Sequence, residues 1–391
     1  MPDGWTGTSE PDQVDDLVER LHRLRPLVEQ HRASFDTARR LPEPVFDALC
    51  DIGAFRLFLP RVLGGPELSP HGFMRVVEAA TELDASVGWL VGNGGGMSRI
   101  GGYLAPEVAG PWFADRRAFV TSATGAVGEA VPVDGGYRVS GRWPFGSGVH
   151  HATWTMGLCA VASPEPAATP DLICCYMPAS AISIIDNWFV SGLRGTGSCD
   201  FEARGIFVPA SHSHPFTGSV PTQAGVLYRL PALSIFPLTV AVVPLGAARA
   251  AITGFSALAA TKARGGSSLA LREREIVQAE VGRLESLHRA ARAFLVESIT
   301  ELMTAIDVGG ERQVRARALF RAACTYAAES ATRIVDSLCA MAGTASILES
   351  GPLERCARDV HAAVKHIAMS PNNYVIAGRI LLGLDAGTTR F

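Results

Sequence analysis

Hydrophobic periodicity changes twice along the chain, and this change constrains the fold more than any other feature. Before about Ala114 the apolar residues recur at the three- and four-residue spacing of helices. From Arg117 to about Val220 the segments are short and alternate with a period of two, as strands do. After Leu230 the helical spacing returns. The sequence therefore predicts an α+β fold, mostly α, with an N-terminal helical domain, a central β-barrel or sandwich and a C-terminal four-helix bundle, at residues 1–116, 117–225 and 226–391.

The same patterns predict the individual elements. One amphipathic helix is expected through Val14, Leu17, Leu21, Leu24 and Leu27, with further helices at residues 42–52 and 69–82 and from Ser86. Strands are expected at 118–122, 137–143, 154–161, 172–177, 182–188 and 199–208. The bundle helices are expected at 237–261, 271–307, 311–342 and 354–369, the longest on the order of 50 Å. Helices of that length commonly reach a partner chain, so we expect a homo-oligomer, a tetramer or a dimer.

Composition excludes several classes of partner and site. The net charge of −3 and the lack of a basic stripe argue against nucleic acid. The longest apolar run, 238–251, is interrupted by Pro244, so no membrane segment is expected, and the polar N-terminus does not resemble a targeting signal. The eight cysteines are scattered without metal-ligand spacing. They predict reduced, buried thiols in a cytoplasmic protein without a metal.

Common catalytic motifs are missing from the sequence. No strand is followed by a GxGxxG, and the chain contains no P-loop, no HExxH and no GxSxG. These absences argue against a Rossmann dehydrogenase, a nucleotide hydrolase, a zinc protease and a serine hydrolase.

The segment GRWPFGSGVHH at residues 141–151 places unusual chemistry at a strand end. Trp143 and Phe145 offer flat apolar surface, Gly146 and Gly148 would let a ligand approach the backbone, and Ser147 offers a hydroxyl. One interpretation is a site for a planar heterocycle that needs few hydrogen bonds. The other is a bulged strand end with a pair of surface histidines.

A second glycine-rich segment lies at residues 187–209. Gly192, Gly195 and Gly197 alternate with the side chains of Arg194, Thr196 and Ser198 in a loop rich in donors. Such a loop could hold a phosphate or a ring edge, or it could be a tight turn between strands. If it lies beside the strand end at Ser147, the two segments could form a single wall.

His366 is the third candidate. It lies near the end of a predicted helix, on the face that carries Asp359, and Ser370-Pro371 follows at once. The helix dipole favours an imidazolium there, while burial opposes it. His366 is therefore either a structural histidine or a histidine at the edge of a site. His150, His151 and His361 are weaker candidates, and Arg264 is either a solvated cation or a diphosphate ligand.

Taken in order with the motifs WxxxGLRGTGS and PLERCARDV, these segments resemble the acyl-CoA dehydrogenase superfamily over residues 15–385. Dehydrogenases of that superfamily carry a glutamate base in a Tyr-Glu-Gly-Thr segment after an Arg-Asp pair. Here Arg358-Asp359 is followed instead by His366-Ile367-Ala368-Met369. The chain is therefore more similar to the two-component (group D) flavin-dependent monooxygenases of this fold. They hydroxylate phenols, polyketides and steroid rings, or oxygenate sulfur or amino sugars.

That resemblance implies a cofactor and a reaction. A separate flavin reductase would supply FADH2 or FMNH2, which would bind between the β domain and the bundle and react with O2 to a C4a-hydroperoxide. An aromatic, polyketide-like or other secondary-metabolite substrate would then be hydroxylated. Ser147 would act near flavin N5, and His366 would hold the peroxide or deprotonate an acidic substrate, a role suited to a pKa near neutrality.

The resemblance also assigns binding residues. The flavin would be held by Thr121, Ser122, Phe145, Ser147, Trp188, Gly195, Thr196, Ser198 and Arg264, the last from the same or a neighbouring subunit. The substrate side would include Trp89, Asn93, Met97 and His150. Relatives often have a histidine or aromatic residue just beyond the Gly-Trp pair, where this chain has Asn93 or Met97, and Gly94-Gly95-Gly96 would open space for a bulky ring system.

Four other interpretations are compatible with the sequence. The chain could be an acyl-CoA dehydrogenase with its base elsewhere, or an N-oxygenase of an amino sugar. It could also be a flavin-independent enzyme on the same scaffold, such as a dehydratase or cyclase, or a non-catalytic binding subunit.

Overall fold

The computed structural model describes residues 9–163, 170–263, 265–266 and 268–388. The chain forms two compact units over these residues. The first comprises the described residues within Met1–Val76, Leu90–Val190 and Arg194–Ala232, and the second comprises those within Val77–Trp89, Ser191–Leu193 and Leu233–Phe391. The three-domain division at residues 116 and 225 stays a prediction.

The N-terminal part is helical, as predicted. Its helices are α1 (Glu10–Arg23), α2 (Arg25–Ala38), α3 (Glu43–Asp51), α4 (Pro70–Leu83), α5 (Ala85–Met97) and α6 (Pro106–Ala114). The prediction of one helix through Leu27 was wrong, because α1 ends at Arg23 and α2 starts at Arg25. Pro26 lies in the first turn of α2. Proline is tolerated there because the N–H groups of a first turn have no acceptor within the helix, so its missing N–H costs no hydrogen bond.

The central part forms one seven-stranded sheet among the described residues. Its strands are β1 (Val120–Val133), β2 (Gly136–Trp143), β3 (Trp154–Val161), β4 (Leu172–Pro178), β5 (Ser183–Ile185), β6 (Asp200–Pro209) and β7 (Ser213–Pro215), in the order β5-β6-β2-β1-β3-β4-β7. The β1–β3 pair is parallel and the others are antiparallel.

Two strand predictions differ from the sheet. β1 is far longer than the predicted 118–122, because a bulge between Ala123 and Gly128 lets one strand continue into the hairpin with β2. β5 ends at Ile185 instead of residue 188, and β7 was not predicted. Three residues are too few to show an alternating pattern, so β7 carries no sequence signal.

Trp143 lies in the centre of the sheet core and not in a ligand surface. It is fully buried, and its indole Nε1–H donates to the carbonyl oxygen of Leu158 at 2.8 Å. A Cβ on Gly141 or Gly157 would lie 2.8 or 2.6 Å from the indole ring, so glycine at these positions makes room for it. The expectation that Trp143 offers apolar surface to a ligand was therefore wrong.

The C-terminal part is a helical bundle. After the short α7 (Val226–Arg229) come α8 (Ala232–Thr261), α9 (Glu275–Val308), α10 (Gly310–Ala342), α11 (Pro352–Ala363) and α12 (Asn372–Leu381). α9 and α10 form a hairpin at Gly309, whose φ of 69° belongs to the left-handed region. α11 ends at Ala363, earlier than predicted, and a separate turn at Ile367–Met369 follows.

α8 is longer and more apolar than the sequence suggested. Leu233–Thr261 is long and apolar enough to cross a membrane by length and composition, the one such helix in the described part of the chain. However, 83% of its most apolar 18-residue stretch is buried inside the fold. Burial by the surrounding helices therefore accounts for its composition.

Candidate active site

The two glycine-rich segments of the first unit lie against each other. The Gly146 N–H donates to the Cys199 carbonyl oxygen at 3.0 Å, and the Gly148 N–H donates to the Thr196 carbonyl oxygen at 2.8 Å. These backbone bonds place the strand end at Ser147 beside the Arg194–Thr196 turn. The two segments therefore form one surface.

Three hydroxyl groups form a chain on this surface. Ser147 Oγ lies 2.8 Å from Ser198 Oγ, which lies 2.7 Å from Thr196 Oγ1. All three residues are buried, as is Thr121, whose Oγ1–H donates to the Ser147 carbonyl oxygen at 2.9 Å. Each hydroxyl can both donate and accept, so the chain fixes the orientation of the Ser147 side chain.

Aromatic side chains border the hydroxyl chain. Phe145 is 67% exposed and has a φ of 63°, a left-handed conformation that costs a bulky L-residue about 1–2 kcal/mol. Its ring meets Trp188 edge to face with 6.4 Å between the ring centroids. A strained, exposed aromatic residue beside ordered hydroxyls is typical of a binding site.

The sequence suggested that Gly146 and Gly148 open the backbone to a ligand. The structure shows that they do not. A Cβ on Gly146 would lie 2.9 Å from the Phe201 ring, and one on Gly148 would lie 2.7 Å from the Phe119 ring. Gly148 also has a φ of 73°. The two glycines therefore let the segment pack closely on core aromatics, which holds Ser147 between them.

The paired histidines differ in environment. His150 is half-buried with Nε2 3.5 Å from Cys199 Sγ, and burial lowers its pKa. His151 stacks on Phe46 at 4.1 Å, and its Nε2 lies 3.0 Å from the Leu41 carbonyl oxygen. Burial lowers the pKa of His151 to about 4. His151 thus packs among N-terminal residues, while His150 lies next to the glycine-rich loop.

His366 lies in the second unit, in an aromatic environment. The ring centroids of Trp89 and Phe236 lie 5.8 and 5.9 Å from that of His366. His366 Nδ1 accepts the Ala368 N–H at 3.1 Å, so the neutral ring carries its proton on Nε2. Burial lowers the pKa of His366 to about 4, so burial outweighs the helix dipole. Phe236 had not been predicted, because it is 130 residues away in sequence.

Asn373 holds the turn that follows His366. Its Nδ2 donates to the Ala368 carbonyl oxygen and to Thr325 Oγ1, both at 3.0 Å. Thr325 Oγ1 in turn donates to the Ser370 carbonyl oxygen at 3.0 Å. The turn is therefore tied to α10, and no sequence pattern indicates this role of Asn373.

The predicted residues of α5 have mixed environments. Trp89, Asn93 and Met97 follow one another at four-residue spacing, and Met97 packs against a core cluster that includes Ile100. The expectation that Gly94 and Gly95 open space was wrong, because a Cβ on Gly94 would lie 2.5 Å from Phe119 and one on Gly95 would lie 2.8 Å from Leu57. Arg264 lies outside the described residues.

The rest of the predicted flavin set lies on the same surface of the first unit. Ser122 is half-buried on β1 next to Thr121, and Gly195 is buried in the Arg194–Thr196 turn. A flavin needs apolar contact for its ring faces and donors at its polar ring edge. The aromatic pair and the hydroxyl chain supply both, so these residues fit a flavin. Over the described residues, no group of three or more His, Cys, Asp and Glu could hold a metal.

Comparison with known proteins gives a consistent result. Residues 238–371 match the family described as acyl-CoA dehydrogenase, C-terminal domain. The chain is 30% identical over 353 residues to an indole-3-acetate monooxygenase of Pseudomonas putida, with 89% of each chain covered. It is 27% identical over 387 residues to the oxygenase subunit HsaA of a flavin-dependent monooxygenase of Mycobacterium tuberculosis, covering 95% of this chain and 97% of HsaA.

A solved structure extends the similarity to the fold. XiaF from Streptomyces sp., in complex with FADH2 and glycerol, superposes with a TM-score of 0.89 at 25% identity, covering 97% of this chain and 98% of XiaF. The predicted fold class, the use of reduced flavin and O2 and the need for a separate reductase are thereby confirmed. The chain belongs to the two-component flavin-dependent monooxygenases of the acyl-CoA dehydrogenase superfamily.

Proposed function

We propose that the protein hydroxylates an aromatic ring of a small molecule, as the oxygenase component of a two-component system. The observation that carries this proposal is the pair of aromatic rings, Trp89 and Phe236, that flank a neutral His366. Rings at this spacing favour a flat apolar substrate through offset or edge-to-face contacts. A polar amino sugar would gain little from them, so the site favours an aromatic substrate over an N-oxygenation substrate.

Reduced flavin, when bound, would supply the oxygenating chemistry with O2, and the residues of the first unit would hold it. Phe145 and Trp188 would pack against the ring system. Thr121, Ser122 and residues 195–198 would bind its polar edge through backbone and hydroxyl groups. The Ser147 hydroxyl, oriented by Ser198, would donate to the ring edge and so disfavour the unproductive release of hydrogen peroxide.

His366 orients the substrate by donating from Nε2–H to a hydroxyl or ring oxygen. This role differs from the acid–base role expected from the sequence. A pKa of about 4 keeps the ring neutral at physiological pH, and Nδ1 is already occupied by the Ala368 N–H. A weakly basic imidazole is a poor proton acceptor and a good fixed donor. Asn93, Met97 and His150 are proposed as further substrate contacts, with Met97 filling gaps as a flexible apolar side chain.

The experiment is incubation with FADH2, 18O2 and a panel of phenols and indoles, followed by mass spectrometry of the products. The proposal predicts that a product gains one 18O atom, the second oxygen atom leaving as water. A parallel incubation replaces FADH2 with FMNH2. Because XiaF is in complex with FADH2, we expect more labelled product with FADH2 than with FMNH2. Reduction of oxidised FAD by an acyl-thioester in a separate anaerobic assay, without any labelled product in the 18O2 incubation, would instead indicate a dehydrogenase.

We also propose that the protein is a homotetramer or homodimer in the cytoplasm and acts in secondary metabolism. The oligomer is supported by apolar side chains on α12 and just after it, where Val375, Leu382 and Leu384 are more than half exposed. The location is supported by eight free cysteines. Sedimentation at two protein concentrations tests the oligomer, and a monomer at both would refute it.

A further inference from the structure

The Ser191–Leu193 segment of the glycine-rich loop is docked on α11 by a buried carboxylate. Asp359 is 1% exposed, and its Oδ1 accepts the Leu193 N–H at 2.6 Å. We propose that Asp359 is a positioning residue for flavin, because it holds Leu193, the residue that precedes the Arg194–Thr196 turn, on the helix that leads to His366. This inference rests on the flavin-binding role proposed above for Gly195, Thr196 and Ser198.

The backbone conformation of the segment is independent evidence that it is held on α11. Gly192 packs so closely on α11 that a Cβ would overlap the Arg358 carbonyl oxygen. Leu193 is 4% exposed and has a φ of 53°, a conformation unfavourable for a leucine. A free loop would relax from it, so the contacts with α11 maintain it. The loop is therefore anchored on α11 at this point.

Anchoring Leu193 has consequences in both directions along the chain. Leu193 and Arg194 are adjacent, so fixing one sets where the turn with Thr196 begins. On the helix side, Asp359 lies one turn, about 6 Å, before Ala363. The Ala363 carbonyl oxygen accepts the His366 N–H at 3.1 Å. Asp359 thus fixes Leu193, the residue that precedes the turn with Thr196, on the helix that leads to His366.

The charges around Asp359 make its contact sensitive to pH. Burial and the neighbouring Asp84 raise the pKa of Asp359 to about 7, while the Leu193 N–H, Arg358 and Arg355 act in the opposite direction. Arg355 is itself paired with Asp84 at 3.2 Å. Protonation replaces a charged acceptor with a neutral one, and hydrogen bonds to a charged acceptor are roughly twice as strong. The hold on Leu193 therefore weakens as the pH falls through 7.

The test is anaerobic calorimetry of FADH2 binding from pH 6 to 9. Asp359→Asn removes the charge and keeps the size, and Gly192→Ala displaces the same segment while Asp359 remains. The control is Asp336→Asn, which removes an exposed carboxylate of α10 that contacts His361 on α11. Melting temperatures show whether each variant is folded.

We expect both Asp359→Asn and Gly192→Ala to raise the Kd for FADH2 about tenfold at pH 8. Wild type and Asp336→Asn should bind more weakly at pH 6 than at pH 8, and the Asp359→Asn profile should be flat. Such a profile separates positioning from a loss of stability, because the wild type stays folded throughout. If Asp359→Asn does not fold, Gly192→Ala carries the test with the same expected Kd.

Two results overturn the inference in distinguishable ways. In the first, Thr196→Ala and Ser198→Ala weaken FADH2 binding, while folded Asp359→Asn and Gly192→Ala bind with the wild-type Kd and pH profile. Asp359 then has no positioning role, and the flavin role of the turn stands. Wild-type binding by Thr196→Ala and Ser198→Ala refutes the flavin role of the turn, and the inference fails with it.

Discussion

Replacing His366 with glutamine tests its environment quantitatively. Burial lowers the pKa of His366 from 6.5 to about 4, so the unfolded chain binds this proton at a higher pH than the folded chain does. The folded state is therefore favoured above pH 6.5 and loses that advantage as the pH falls toward 4. One pKa unit corresponds to about 1.4 kcal/mol, so the whole shift is worth about 3 kcal/mol and the part between pH 7 and 5 about 2 kcal/mol.

The assay is urea unfolding at pH 7 and pH 5, followed by tryptophan fluorescence. Wild type should lose more stability between these pH values than His366→Gln, by about 2 kcal/mol. His151, whose pKa burial also lowers to about 4, should leave both proteins with some pH dependence. Ile367→Gln, an exposed neighbouring change without a titratable group, should retain the wild-type dependence. Equal pH dependence in wild type and His366→Gln would show that His366 is not held neutral by burial.

Three further changes follow from the packing. Gly148→Ala forces a Cβ against Phe119 at a φ of 73°, which should destabilise the protein by about 1–3 kcal/mol in urea unfolding; wild-type stability would show that the segment can shift. Arg99→Met removes a buried guanidinium that donates to the carbonyl oxygens of residues 227, 228 and 230, and it should destabilise by about 3 kcal/mol or more in the same assay. A loss below 1 kcal/mol would contradict that assignment. Trp89→Ala should raise KM for the aromatic substrate about three- to tenfold with little change in kcat. An unchanged KM would place the substrate elsewhere.

The sequence was most informative where one element carries its own periodicity. Long helices such as α9 and α10 bury a continuous stripe, and their bounds match the prediction within a few residues. The pattern from Val14 to Leu27 was misleading because α1 and α2 happen to continue the same spacing across Leu24. Pro26 was the local signal that could have separated them.

Site residues were predictable only to the extent that their chemistry is local. Ser147, Thr196 and Ser198 could be proposed because glycines and hydroxyls cluster in sequence, and the backbone bonds confirm only that the two segments meet. Phe236 and Asn373 were missed because their roles depend on contacts with residues far away in the chain. Long-range packing of this kind has no signature in one sequence.

Glycine and histidine show the same limit. Glycines were interpreted as room for a ligand. At Gly94 and Gly146, however, the rings of Phe119 and Phe201 already fill the space that a side chain would need. For His366 the sequence indicated that the helix dipole raises the pKa and that burial lowers it. Only the packing around the ring decides which effect is larger. Residue type therefore indicated candidate positions, while packing determines the protonation state of His366.

The most direct test of the account concerns Ser147, because the proposed site depends on its ordered hydroxyl. The measurement is the rate of hydrogen peroxide release after the protein with FADH2 is mixed with O2 in a stopped-flow instrument, without substrate. Release should be slow in wild type and in Ser183→Ala, an exposed change on β5. It should be about tenfold faster in Ser147→Ala, the loss expected for one hydrogen bond of about 1.4 kcal/mol. Equal rates in wild type and Ser147→Ala would contradict the assignment of the hydroxyl chain to the flavin.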